Sequence, residues 1–487
     1  MITRRIVLAL FAILSVWSLA FAQHDVGGGS TVAGGSIDTS RVASPRIRRA
    51  PAPATRKPRP ATPVRRGVTA EQLNQQGDTL FEAGNYDDAL DVYARAVEIK
   101  PMATAYYHIG WIYNDREDYD SALTALQQAV RLNSNYAVAF DELAFTYRSL
   151  KRYDDAFFAY RRAISIDPTF AKAFYGMGWT YNEMQRYGDA IQPLNQAITL
   201  RSDYAEAYNE LGYAYRKLKR SQEAISAYRR AVSLKTDFAS AYFGLGDVYF
   251  YDSNQYREAI QAYNNALAIK PENATAAYNV GWAYNELKQY PQAINALEKA
   301  ISLKPDYAEA YNELGYAYRR VERFDDAVRA YNQAIRLKPD YAQARFGLGD
   351  LYFDNLNRYE DAITAYEGAL RLQPNNAIAD YRVGWSYNDL RRYSQAIPYL
   401  QEAVRLKPEY SEAFNELGFA LLNIQRYSEA VASFKEATRI KPDYGLAYYN
   451  LGITYLSMRD KNRAIEQYRI LQRIDPQRAA KLAAEIK

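Results

Sequence analysis

One phrase returns along this chain about every 34 residues, and a chain that repeats at that interval folds as a stack of like units. AYNELGYAYRKL begins at Ala207, AYNELGYAYRRV at Ala310 and AFNELGFALLNI at Ala413. Twelve copies run in register from Ala70 to Pro476. If each unit starts seven residues before its glycine, position 8 is Gly77, Gly110, Gly178, Gly212, Gly246, Gly281, Gly315, Gly349, Gly384, Gly418 and Gly452, with Ala144 in the third copy. Alanine holds position 20 throughout, from Ala89 to Ala464. Small residues at these two places let a pair of helices approach closely. At 100° per residue, positions 4, 7, 8 and 11 share one side of the first helix, so Tyr208, Leu211, Gly212 and Tyr215 are assigned to the core. Proline near position 32, as at Pro271, Pro305 and Pro339, ends the second helix; Ser134, Ser202 and Thr236 replace it in three copies.

These residues follow a W-x2-L-G-x2-Y, A-x3-F, P pattern, and from residue 70 to 476 the chain resembles the tetratricopeptide repeat (TPR) family. The resemblance implies an all-α, right-handed superhelical solenoid of about twelve helix-turn-helix repeats, acting without enzymatic chemistry and without a cofactor. Residues 477–487, with Ala479, Leu482, Ala483 and Ile486 on one face, are expected to form a capping helix over the end of the stack. Position 4 departs from the family's large aromatic at Ala277, Arg345 and Asp380, which is expected to loosen packing there or shift it to position 5.

A longer period lies over the first. Gly178, Gly281 and Gly384 are 103 residues apart, as are Gly212, Gly315 and Gly418. One member of this three-repeat cassette carries Gly-Trp-x-Tyr-Asn, the next Asn-Glu-Leu-Gly-(Tyr/Phe), and the third Gly-Leu-Gly-Asp-x-Tyr-Phe with one extra loop residue. Core packing alone does not call for this alternation, so it draws attention to positions 2, 5, 9 and 12, which fall together beside the core face. In TPR proteins that face lines the concave groove. Here it carries Tyr107, Trp111 and Asn114; Tyr175, Trp179 and Asn182; Tyr278, Trp282 and Asn285; and Tyr381, Trp385 and Asn388. The second class adds Asn209, Tyr213 and Arg216 with Asn312, Tyr316 and Arg319; the third adds Phe243, Asp247 and Phe250 with Phe346, Asp350 and Phe353. Aromatic planes among amides and charges suit an extended ligand, with Asn meeting a peptide backbone, Arg a carboxylate, and Trp or Tyr a proline ring or sugar face. The same rings also suit packing between neighbouring first helices, and the spacing leaves both readings open.

The ends have a different composition. Arg4 and Arg5, an apolar run from Ile6 to Ala20 and an Ala20-Phe21-Ala22 cleavage pattern read as a signal peptide over residues 1–22, followed by a disordered, basic Gly/Pro/Arg-rich tail over 23–68. The tail holds nine basic residues against Asp25 and Asp38, so the overall charge of +5 becomes −4 beyond Val68 once the two signal arginines are also set aside. A nucleic-acid partner is therefore not expected, nor a transmembrane span once the signal is cleaved. Cysteine is absent and the two histidines, His24 and His108, lie far apart, which excludes disulfides, thiolate chemistry and a multi-histidine metal site. The acid pairs Asp87-Asp88, Asp154-Asp155 and Asp325-Asp326 fall where second helices begin and are assigned to capping. The sequon at Asn273 is read as accidental, and the Lys and Asn of a chaperone-binding carboxylate clamp are not reproduced. The reading is thus an exported (periplasmic, cell-surface or secreted) scaffold holding a protein or peptide segment in its groove. A glycan-binding aromatic groove and a self-assembling fibre are the alternatives.

Overall fold

The first helix of each repeat keeps its small residues on one side because its partner lies against them. The computed structural model describes residues 68–487, so the signal and nearly all of the basic tail lie outside the described residues. Among those residues there are 25 α-helices in consecutive antiparallel pairs and no strand, an all-α solenoid of twelve repeats. The cassette sorts the repeats into three classes. First helices of the tryptophan class are Ala103–Asp115, Ala171–Glu183, Ala274–Glu286 and Ala377–Asp389, in repeats 2, 4, 7 and 10. The Asn-Glu-Leu-Gly class contributes Ala205–Lys217, Ala308–Arg320 and Ser411–Asn423 in repeats 5, 8 and 11, with the variant Ala137–Ser149 in repeat 3. Repeats 1, 6, 9 and 12, with first helices Ala70–Glu82, Ala239–Asp247, Ala342–Leu351 and Gly445–Ser457, take the third place.

Position 8 is small because the residue at position 24 of the same repeat fills the space. A Cβ on Gly281 would sit 2.5 Å from Leu297 Cγ, and one on Gly315 would sit 2.9 Å from Tyr331 Cδ1. The tryptophan class puts leucine there (Leu126, Leu194, Leu297, Leu400); most other repeats put a buried ring (Tyr228, Tyr263, Tyr331, Tyr366, Phe434). The two helices of a repeat are joined by a turn with one left-handed residue: Gly84 in the first repeat, but a side chain such as Lys151 (φ 60°) or Lys288 (φ 58°) in the later ones. The turn persists at non-glycine positions because it satisfies the helix end: Arg152 N–H donates to Tyr147 O at 2.8 Å.

The extra residue of the third class is not in the loop, as the sequence suggested. Val248–Asp252 and Tyr352–Leu356 continue their helices as π-helical turns, which absorb one residue inside the helix and leave the interhelical turn unchanged. Proline begins the final helix, Pro476–Ile486, whose buried Leu482 lies against Gly452. The acid pairs sit two and three residues past the N-cap, in the first helical turn, and Arg152 and Arg323 bind Asp155 and Asp326 there. Asn273 caps Ala274–Glu286 by accepting from Ala276 N–H at 3.0 Å, which gives the sequon a structural use. Of the position-4 departures, Ala277 and Asp380 are buried and Arg345 turns to donate to Pro339 O at 3.1 Å.

Candidate functional site

The face predicted to be a groove is where successive repeats are keyed together. From the tryptophan class to the next, the position-12 amide donates forward. Asn182 Nδ2 reaches Glu210 O and Oε2, both at 3.0 Å; Asn285 reaches Glu313 O at 3.1 Å and Oε2 at 3.0 Å; Asn388 reaches Glu416 O and Oε2 at 3.0 Å. Asn114 does the same to Glu142, and its Oδ1 accepts from Thr146 Oγ1 at 3.0 Å. Asn209 and Asn312 donate to the neighbouring Glu210 and Glu313 at 3.4 and 3.2 Å. Glu210, Glu313 and Glu416 are thus each held by two amides, and Glu142 by Asn114 together with Lys172 at 3.6 Å. Burial pushes the Glu313 carboxyl up to about 7, with Glu286 adding to the effect and the two amides opposing it.

The second class joins the third by charge. Arg216 Nη1 lies 2.7 Å from Asp247 Oδ2, and Tyr263 donates to Oδ1 of the same carboxylate at 2.7 Å. Arg319 lies 3.7 Å from Asp350 and 2.8 Å from Asp354, and Tyr366 donates to Asp350 at 2.6 Å. Packing also matters at this junction. The ring of Tyr228 lies between Gly212 of its own repeat and Gly244 of the next, and Tyr331 lies likewise between Gly315 and Gly347. The first glycine of each Gly-Leu-Gly therefore makes room for the previous repeat.

The third class joins the tryptophan class through rings. Phe250 meets Trp282 edge-on at 4.7 Å, Phe353 meets Trp385 at 5.0 Å and Phe81 meets Trp111 at 4.8 Å. Phe243 packs on Tyr263 at 5.5 Å, and Phe346 is half-buried against the core. Position 5 of the tryptophan class packs at a tilt against the tyrosine before the next repeat: Tyr107 against Tyr136, Tyr175 against Tyr204, Tyr278 against Tyr307 and Tyr381 against Tyr410, with centroids 4.9 to 5.3 Å apart. Tyr213 and Tyr316 meet Tyr187 and Tyr290 edge-on at 5.9 and 6.1 Å.

The alternation is therefore a packing alternation, contrary to the expectation that packing did not call for it. Amides, arginines and aspartates proposed as ligand contacts are engaged by the adjoining repeat, except Asn209 and Asn312, which donate to the glutamate beside them in their own helix. The four tryptophans remain half-buried, as do Tyr107, Tyr213, Tyr278, Tyr316 and Tyr381, while Tyr175 is buried. The glutamate at position 6 was missed, although its separation of 28 residues from the preceding Asn recurs in the sequence and was available to find it.

Family models agree with this architecture. Tetratricopeptide repeat models match residues 74–137, 137–170, 159–192, 312–377, 353–411, 381–445 and 415–479, and a TPR repeat model matches 178–219. A model described as the C-terminal domain of cilia and flagella-associated protein 70 matches 201–344. Tetratricopeptide repeat protein 13 of Homo sapiens is 32% identical over 69 residues, which is 14% of this chain and 8% of that protein's length. The chain belongs to the tetratricopeptide repeat family.

Solved structures similar to this TPR chain include YrrB, described as a TPR protein with an unusual peptide-binding site, at 28% identity and TM-score 0.37 over 39% of this chain and 99% of that one. MamA is similar at 31% identity and TM-score 0.32, over 34% of this chain and 97% of its own. As a TPR protein, the chain is a protein–protein interaction scaffold of a generally non-enzymatic kind. Among the described residues no helix is long and apolar enough to cross a membrane.

Proposed function

We propose that this is an exported, non-enzymatic scaffold of the cell envelope or exterior, and that it holds an extended peptide segment of a partner protein along its concave face. The observation that carries the reading is the division of labour at that face. Polar ends are tied between repeats, so the surface is set before a partner arrives, while half-buried aromatic rings recur every cassette at positions 5 and 9. A preorganised surface of many modest contacts loses little conformational entropy on binding and suits a long, extended segment. The peptide-binding site in the description of YrrB is consistent with this use. Export rests on the N-terminal pattern alone and is checked by the mass of the mature protein: cleavage after Ala22 is expected.

The binding test uses tryptophan emission of the mature chain, because Trp111, Trp179, Trp282 and Trp385 all occupy position 9. Titration with extended peptides is expected to shift and protect the emission, and oligosaccharides are expected to leave it unchanged. A response to oligosaccharides alone would replace the peptide reading with the glycan reading. A rise in tryptophan exposure on dilution, without ligand, would instead point to self-association.

A further inference from the structure

The cassette order is broken once. Repeats 5, 6 and 7 follow in the order second, third, tryptophan class, as do repeats 8, 9 and 10, but repeat 3 of the second class runs directly into repeat 4 of the tryptophan class. The third class, which supplies the aspartate at position 9, is missing at that junction. Arg148 occupies the same position 12 as Arg216 and Arg319, whose guanidinium groups are met by Asp247 at 2.7 Å and by Asp350 and Asp354 at 3.7 and 2.8 Å. Across from Arg148, position 9 is Trp179, and the guanidinium carbon lies 3.5 Å from the indole centroid and 5.0 Å from the ring of Phe145.

Stacking holds the arginine in place but does not satisfy its N–H groups. Nε and Nη1 of Arg148 are buried and have no hydrogen-bond partner among the described residues. The residue is 5% exposed, and its ion pair with Glu183 Oε2 is a long 4.0 Å. Other nearby acids are engaged elsewhere: Asp141 is held by Lys172 at 2.8 Å, and Glu142 accepts from Asn114. Two buried guanidinium nitrogens without hydrogen bonds are a costly arrangement, and a carboxylate is the group that matches them.

We propose that the junction of repeats 3 and 4 is a carboxylate-binding site, filled by an acidic side chain or terminal carboxylate of the partner segment in the place that Asp247 and Asp350 hold at the intact junctions. The proposal rests on the peptide-groove reading and adds its chemistry. Because Nε and Nη1 are sealed by the surrounding side chains, the carboxylate reaches them as the Trp179 indole swings off the guanidinium. Binding and a change in Trp179 emission are then one event.

The test uses the full mature chain and two mixtures of immobilised peptides of about twelve randomised residues, one with a fixed central Asp and one with Asn. Retention on the Asp mixture is expected to be about tenfold stronger, the difference of one charge-assisted hydrogen bond over none. Arg148→Gln is expected to abolish the preference. Trp179→Asp should abolish it too, by supplying the internal carboxylate that Arg216 already has, and it carries the test if Arg148→Gln fails to fold by circular dichroism. Equal retention of both mixtures by the wild-type chain overturns the carboxylate site and leaves peptide binding standing. Retention of neither overturns both. A preference that survives in a folded variant overturns the site as well, since its source would then lie elsewhere.

Discussion

Glu313 is a carboxyl buried beneath Asn285 and Asn312, and its charge state reports on the junction around it. Burial holds it near 7 against an ordinary value of 4.5, so the folded chain binds its proton more tightly than the unfolded one does. Stability from this group is therefore full below about pH 4.5 and declines as pH rises through about 7. Urea unfolding at several pH values should show that slope, and Glu313→Gln should reduce it while matching or exceeding wild-type stability at pH 8; Asp380, which burial also holds near 7, supplies part of the remaining slope. Glycines make a second residue-scale contrast. Gly281→Ala drives a methyl into Leu297 and is expected to destabilise by about 1–3 kcal/mol. Gly188, inside Tyr187–Leu200 with nothing near its absent Cβ, should gain roughly 0.5 kcal/mol as alanine in the same denaturation experiment. Position 8 was legible in the sequence because a glycine that recurs in eleven of the twelve copies, with Ala144 in the other, marks a close approach. The use of Asn182 was not: an amide on a helix face reads the same whether it meets a ligand or the next repeat, and the choice depends on a glutamate in another helix.

At the scale of single elements, the first helices of repeats 6 and 9 end in π-turns that place Phe250 and Phe353 against the following tryptophans. Phe250→Ala removes a buried ring and is expected to cost about 3–5 kcal/mol. It should also red-shift the emission of Trp282 and increase its quenching by acrylamide, while the other three tryptophans keep their signal. Counting residues revealed that these repeats were one longer, but a count cannot tell whether a loop or a helix takes up the excess. Here a loop of unchanged length keeps the left-handed turn at Asn254 and Asn357, the counterparts of Lys151 and Lys288, and the wider helical turn takes the residue.

Across the whole molecule the three junction types impose an order, since Asn seeks Glu, Arg seeks Asp, and Phe seeks Trp in the next repeat. Deleting residues 274–376, one full cassette, joins Phe250 to Trp385 and keeps every pairing. Deleting 274–307 alone sets Phe250 against Tyr316 and leaves Glu313 without Asn285. The longer deletion is expected to unfold in one cooperative transition and the shorter one to show a separate, less stable phase, read by urea denaturation followed by circular dichroism. An apolar core runs unbroken from Ala224 to Ala464, whereas the earlier repeats are divided among smaller clusters, so early unfolding is expected N-terminal to repeat 5. The twelve-fold stack was legible because its period needs no tertiary information; the ordering was not, because each of its terms joins residues about 28 to 36 positions apart in different repeats. At the far end, Leu482 fills the space above Gly452. Head-to-tail growth uses both ends of a stack, and a helix seated over Gly452 would have to be displaced before another copy could dock at that end, so truncation before Pro476 is the change expected to favour association there.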